Sequence, residues 1–171
     1  LPPRASMRDI SRILRVGDVV MHAITVPEGL TSQQVVELLL NESVLSGAAT
    51  IPDEGSLLPE TYYVPRGHAR VALLNKMQAA QKKAVAQLWE NRQRGLPLQT
   101  PQEALVLASI VEKETGQDGE RGQVAAVFVN RLRKRMRLQS DPTIIYGLVG
   151  GKGTLGRPIR LSEISRPTPY N

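Results

Sequence analysis

The sequence contains no cysteine, which excludes disulfides and thiol nucleophiles and leaves the redox compartment open. One Phe and one Trp supply few rings for stacking bases, which counts against binding of single-stranded nucleic acid. His22 and His68 stand alone, with no ligand-type residues grouped around them, so neither a catalytic metal nor any other cofactor is expected. There is no run of 18 apolar residues that would cross a membrane as a helix. The opening Leu1-Pro2-Pro3-Arg4 has no apolar core behind it, so no secretory signal is legible there. The Gly-rich stretch 147–154 is not a phosphate loop: Gly151-Lys152 is followed by Gly153, not Ser or Thr, and the segment before it reads as helix.

What is present fits a folded chain. A length of 171 residues suits one medium domain, or one domain plus a small module. Hydrophobic residues at 41% and charged residues at 22% exclude a disordered composition. The formal charge of +6 favours an anionic partner: nucleic acid, phospholipid headgroups or an anionic wall polymer. Arg131, Arg133, Lys134, Arg135 and Arg137 form a basic run at the end of a predicted helix, where cations complement the helix dipole.

Hydrophobic spacing predicts a short helix over 6–15 with Ser6 as cap, then a strand over 19–26. Pro27-Glu28-Gly29 signals a turn, and Thr31 with Gln34 three residues on predicts a capping box opening a helix to about Leu40. Residues 46–67 read as a loop-rich connection. A helix is predicted over 70–91, broken by Gly95 and Pro97. Thr100-Pro101-Gln102-Glu103 opens a helix over 101–115 that is apolar almost all round and is therefore expected to be buried. Further helices are expected over 120–136 and 141–146, followed by the Gly-rich loop.

Glu112 and Glu114 are the informative residues. They occupy the last turn of the apolar helix, where the helix dipole and burial both disfavour a charged carboxylate, as a general acid near neutral pH requires. On the helical wheel Glu114 falls between Leu107 and Ile110, and Glu112 near Leu105. Either could face a cleft, and either could instead be an exposed carboxylate paired with Lys113 or Arg121. Spacing does not choose between them.

The stretch Ala108-Ser109-Ile110-Val111-Glu112-Lys113-Glu114-Thr115 resembles the signature of the endolytic murein transglycosylase (YceG-like) family. The likeness runs on through Glu120-Arg121, through 124–132 and through 136–147. Shorter similarities are Val26-Pro27-Glu28-Gly29 with Thr31, Leu58-Pro59-Glu60-Thr61-Tyr62, and the closing Pro167-Thr168-Pro169-Tyr170-Asn171. Glu60 stands where the family pattern has Asp.

The resemblance implies an α+β, helix-rich fold: a small LysM-like α/β unit over 1–50, then a mainly helical catalytic domain with a sugar-binding cleft over 51–171. It implies Glu114 as the single catalytic acid/base of a lyase that cuts peptidoglycan glycan strands and leaves 1,6-anhydro ends. The same resemblance leads us to expect a piece of a longer protein, in which a single N-terminal anchor in the bacterial inner membrane precedes this chain, the domain faces the periplasm, and further sequence follows Asn171.

Asn130, Gln139, Ser140, Thr143 and Tyr146 offer the donors and acceptors that sugar hydroxyls and acetamido groups need. Together with Arg131, Asp141 and Glu60 they are the expected substrate-binding set. The basic run is expected to meet the carboxylates of peptide stems. Expected partners are glycan strands and penicillin-binding proteins, and not nucleic acid. The rival classes are a non-catalytic wall-binding or scaffold module, and a basic nucleic-acid-binding protein.

Overall fold

The computed structural model describes residues 3–17, 19–117 and 119–170; Leu1, Pro2 and the closing Asn171 lie outside the described residues. Helix α1 (Met7–Val16) opens with Ser6 and Asp9 capping each other. Strand β1 (Met21–Thr25) leads to helix α2 (Ser32–Asn41). The predicted capping box is there: Thr31 N–H donates to Gln34 Oε1 at 2.9 Å, and Gln34 N–H to Thr31 Oγ1 at 3.3 Å.

The stretch read as a loop-rich connection holds strand β3 (Thr61–Pro65), which follows the two-residue strand β2 (Leu45–Ser46). β3 pairs antiparallel with β1 in the register Ile24↔Tyr62 and His22↔Val64. Tyr62 and Val64 are buried while Thr61 and Tyr63 face out, a period of two that the surrounding Pro and Gly concealed. β2 pairs parallel with β4 (His68–Ala69).

Helix α3 (Arg70–Glu90) begins with a residue that closes the end of α2. Arg70 Nε donates to the Leu39 carbonyl and Nη1 to that of Gly47, both at 2.7 Å, while Nη2 donates to Leu40 and Glu42 at 3.2 and 3.1 Å. The last carbonyls of a helix lack intrahelical partners, and here a guanidinium supplies them in place of a glycine cap. Ile24, Val36, Leu39, Val64, Leu73 and Met77 form the centre of the first core. That core crosses residue 50, where the sequence ended its first unit, because β1 takes its ladder partner from β3.

The second half is helical: α4 (Pro101–Glu114), α5 (Arg121–Arg133), α6 (Asp141–Val149) and a single turn, α7 (Leu161–Ile164). Thr100 caps α4 as expected, accepting from Glu103 N–H at 3.2 Å. The expectation that α4 is buried nearly all round is corrected. Leu107, Ile110 and Val111 are buried, whereas Val106 is 51% exposed and Ala108 is exposed. Its neighbours α3, α5 and α6 leave part of its surface uncovered, and apolar residues there meet water. With Phe128 of α5 these three residues form the second core.

α5 ends earlier than the predicted 136. Arg135 N–H donates to Leu132 O at 3.0 Å and Met136 N–H to Arg131 O at 2.9 Å, with Arg135 left-handed at φ 54°. This is a Schellman closure with arginine where glycine is usual. α6 runs one turn past the predicted end and contains Gly147, against which the Tyr170 ring packs so closely that a Cβ would lie 3.0 Å from its Cδ2. The architecture is thus helix-rich α+β, with two two-stranded sheets among the described residues, the class the sequence implied.

At α7, Arg157 donates through both terminal nitrogens to Glu163, whose carboxylate also accepts from Arg160 N–H at 2.8 Å. The Arg157 hydrogen bond, then that of the Arg160 backbone, lowers Glu163 from its ordinary 4.5 to about 2. A depressed carboxylate contributes to stability above its unfolded value, and the contribution disappears as pH falls through the folded value. The Glu163 carboxyl carbon should therefore titrate by NMR near pH 2, and Arg157→Ala should move that midpoint towards 4.5. A midpoint already near 4.5 in the unsubstituted protein would show that the pair does not form. In the first core, Leu39 is 0% exposed, and Leu39→Ala should cost about 2–5 kcal/mol, read as a lower urea midpoint at unchanged slope.

Candidate active site

The two carboxylates that the wheel left equivalent are treated differently by the fold. Glu112 lies in an arginine fork: Arg121 Nε donates to its Oε2 at 3.0 Å and Nη2 to its Oε1 at 3.3 Å. The pairing of Glu112 with Arg121, one of the two bland alternatives, is the one observed. Glu114 is the last residue of α4, in line with the buried Leu107 and Ile110 but just beyond the core, and it is exposed. It stands at the helix end as expected, and it is exposed where the sequence predicted burial. Its Oε1 accepts from the Ser140 hydroxyl at 2.6 Å. Among the described residues, that is its only side-chain hydrogen-bond partner.

Ser140 is 2% exposed, and it occupies the N-cap position of α6 without using its side chain as a cap. An N-cap serine ordinarily accepts from a backbone N–H in the first turn; here the hydroxyl is turned to Glu114. The Ser140 carbonyl is held instead, by the Thr143 hydroxyl at 2.7 Å and the Thr143 N–H at 3.2 Å. Gln139, directly before it, is left-handed at φ 55°. Arg131 Nη1 donates to the carbonyls of Arg137 and Leu138 at 3.1 and 3.0 Å and to Gln139 Oε1 at 3.0 Å.

The expected substrate-binding residues therefore divide. Ser140 touches Glu114. Thr143, Gln139 and Arg131 bond to the chain around Ser140. Asn130 is exposed and accepts from its helix neighbour Arg133 at 3.5 Å, and Asp141 is exposed in the first turn of α6. Tyr146 lies further along α6, its ring 5.4 Å from that of Tyr170. Burial, then the charge of Glu54, then Tyr170, raise its phenol, so it remains an O–H donor at physiological pH. Glu60 is exposed beside β3, and its backbone carbonyl accepts from Val26 N–H at 3.0 Å; no hydrogen bond among the described residues links its side chain to Glu114.

Contacts that sequence reasoning did not reveal link the first half of the chain to the second. Thr31 Oγ1, while capping α2, donates its proton to the Gly151 carbonyl at 2.8 Å. Gly151 is left-handed at φ 76°, and a Cβ there would come within 3.0 Å of Glu54 Oε1 and 3.3 Å of Tyr146 Cε2. Glu54 Oε2 accepts from Ser32 N–H at 3.0 Å. Gly29 of the Pro27-Glu28-Gly29 turn sits against Lys113 and Glu112, where a Cβ would lie 3.5 Å from Lys113 Nζ. The Gly-rich stretch, excluded as a phosphate loop, supplies this close contact. Nothing local in the sequence marked Glu54.

A groove of about 440 Å³ lies along the other end of α4, lined by Leu98, Val106, Leu107, Ile110, Leu132 and Leu138 among others, and it does not include Glu114. Among the described residues, no cluster of three His, Cys, Asp or Glu side chains could hold a metal, and no helix is long and apolar enough to cross a membrane.

Fold and site together define a helix-rich α+β protein presenting one hydrogen-bonded glutamate at the end of a half-buried helix. The chain belongs to the YceG-like family, whose pattern matches residues 1–171. It is 33% identical over 153 residues to the endolytic murein transglycosylase of Streptococcus pneumoniae serotype 2 (strain D39), covering 84% of this chain and 26% of that protein. It is 28% identical over 120 residues to the endolytic murein transglycosylase of Bacillus subtilis (strain 168), covering 70% of this chain and 32% of that protein. The chain thus spans between a quarter and a third of the length of these relatives. The crystal structure of a yceG-like protein from Listeria monocytogenes shares the fold with TM-score 0.64 at 24% identity, covering 100% of this chain and 66% of that one.

The seam gives a test of how the site is assembled. Thr31→Val keeps the shape of the side chain but removes both the cap and the bond to Gly151. Loss of the cap alone should cost about 0.5–2 kcal/mol, and Thr31→Ser should retain most of the stability. Equal thermal midpoints for Val and Ser would show that the hydroxyl carries no such weight.

Proposed function

We propose that this chain carries the catalytic centre of an endolytic lytic transglycosylase that cleaves the bond between N-acetylmuramic acid and N-acetylglucosamine in peptidoglycan glycan strands. The observation that carries this reading is the Ser140–Glu114 hydrogen bond, with Glu112 taken up by Arg121. Of the two carboxylates at the end of α4, Glu114 is the one left for chemistry. The membership of the family and the printed names of the relatives support the substrate class.

Protonated Glu114 donates to the glycosidic oxygen as the bond to the muramoyl anomeric carbon breaks, through an oxocarbenium-like transition state. The resulting carboxylate takes the proton from the muramoyl C6 hydroxyl, whose oxygen closes onto the anomeric carbon. The product is a 1,6-anhydro end, Glu114 is protonated again, and no water is consumed. A hydrolase of the usual kind would need a second carboxylate as nucleophile or base. Glu112 is engaged by Arg121 and does not offer itself for that role. Tyr146 and the exposed Asn130 and Asp141 are assigned to substrate contact on their chemistry, and the remaining exposed cations of the basic run to the carboxylates of peptide stems. The wider setting rests on the resemblance: a LysM-like first unit, a membrane anchor, a periplasm-facing domain beside penicillin-binding proteins, and control of nascent strand length.

The test is mass spectrometry of peptidoglycan treated with the full-length protein and with its Glu114→Gln variant. Internal fragments with anhydro ends should appear with the unsubstituted protein, and the variant should release them at least about a hundredfold more slowly, since a positioned acid/base contributes roughly 10²–10⁴. Reducing ends would mean hydrolysis. Binding to the polymer without fragments from either protein would favour a scaffold module.

A further inference from the structure

We propose that Arg131 is a positioning residue for Glu114: it clamps the left-handed turn before α6 and so aims the Ser140 hydroxyl at the carboxylate. This rests on the reading of Glu114 as the acid/base and adds how that carboxyl is held. It also reassigns Arg131, which the sequence placed among the residues contacting substrate.

The connection between α5 and α6 contains two non-glycine residues in the left-handed region, Arg135 at φ 54° and Gln139 at φ 55°. Such conformations are costly for a residue with a Cβ and persist only where the surroundings impose them. Arg135 is imposed by the Schellman closure of α5. Gln139 is imposed by Arg131, whose Nη1 bonds to the carbonyls of Arg137 and Leu138 and to the Gln139 side chain. Ser140 is the next residue and is 2% exposed, so its hydroxyl direction follows the backbone at 139. From the other side Thr143 holds the Ser140 carbonyl, leaving the Ser140 proton for Glu114 at 2.6 Å. The path is short and covalent at its middle: guanidinium, turn, hydroxyl, carboxylate. Arg133 provides the contrast, since it is exposed and bonds to Asn130 and the Gly95 carbonyl, away from this turn.

The experiment compares glycan-cleavage kinetics of the full-length protein with Arg131→Ala, and with Arg131→Ala combined with Gln139→Gly. Glycine adopts positive φ without a Cβ penalty, so it restores the turn without restoring the cation. Arg131→Ala is expected to lower kcat by about tenfold to a hundredfold with KM within about twofold, as misplacement of a reacting group does. Glycine at 139 is expected to recover most of that loss. A raised KM at unchanged kcat, or a kcat loss that glycine leaves untouched, would overturn the proposal. Should Arg131→Ala fail to fold, Arg131→Lys is read by the same criteria.

The Glu114 carboxyl carbon resonance gives a readout that needs no turnover. It should move in Arg131→Ala as it does in Ser140→Ala, and return in the double variant. An unmoved resonance sinks the clamp. If the unsubstituted protein cleaves no glycan, the function proposed above fails, and the resonance alone then decides the positioning role.

Discussion

The geometry of the site depends on the register of one helix. Leu107, Ile110 and Glu114 fall at spacings of three and four along α4, so they share one stripe. The first two are buried against α5, and their packing fixes the rotation of the helix. Glu114 inherits that rotation and emerges where the core ends. A residue earlier or later would point the carboxylate elsewhere; Glu112, two residues before it, faces Arg121. The second core is small, yet it sets the direction of Glu114 with the stiffness of a packed helix.

The caps were legible in the sequence because they are local. The Ser6 cap, the Thr31–Gln34 box and the Thr100 cap each act within one turn, and all three form. What depends on distant partners was not legible. β3 was hidden because its two-residue period is only five residues long and sits among prolines and glycines. The burial of α4 was overestimated because an apolar helix states what it would bury, not how many neighbours arrive to cover it. Glu114 was named as the acid by resemblance, with the wheel undecided. Its hydrogen bond to Ser140 spans 26 positions and leaves no periodic trace.

Two carboxylates two residues apart illustrate how environment divides labour. An arginine fork gives a carboxylate two directed, charge-assisted bonds and a fixed orientation. That suits Glu112, which helps hold the start of α5 against the end of α4. Glu114 meets a single neutral donor instead, which orients one of its oxygens and leaves the other free of side-chain partners among the described residues. The buried Ser140 hydroxyl is such a partner, since it can accept as well as donate and keeps its own place in the fold.

The same economy extends to the basic run. Read along the sequence, Arg131, Arg133, Lys134, Arg135 and Arg137 form one solvated cluster at a helix end. In the fold they do separate things. Arg131 turns a nitrogen inward to the chain, Arg135 adopts the left-handed position that ends α5, and Arg133 reaches the loop carbonyl of Gly95. A positively charged field at the surface survives this division, because Lys134 and Arg137 remain exposed. Exposed positive charge and the construction of a strained turn therefore draw on one short segment. The segment runs directly into Ser140, the residue that donates to Glu114.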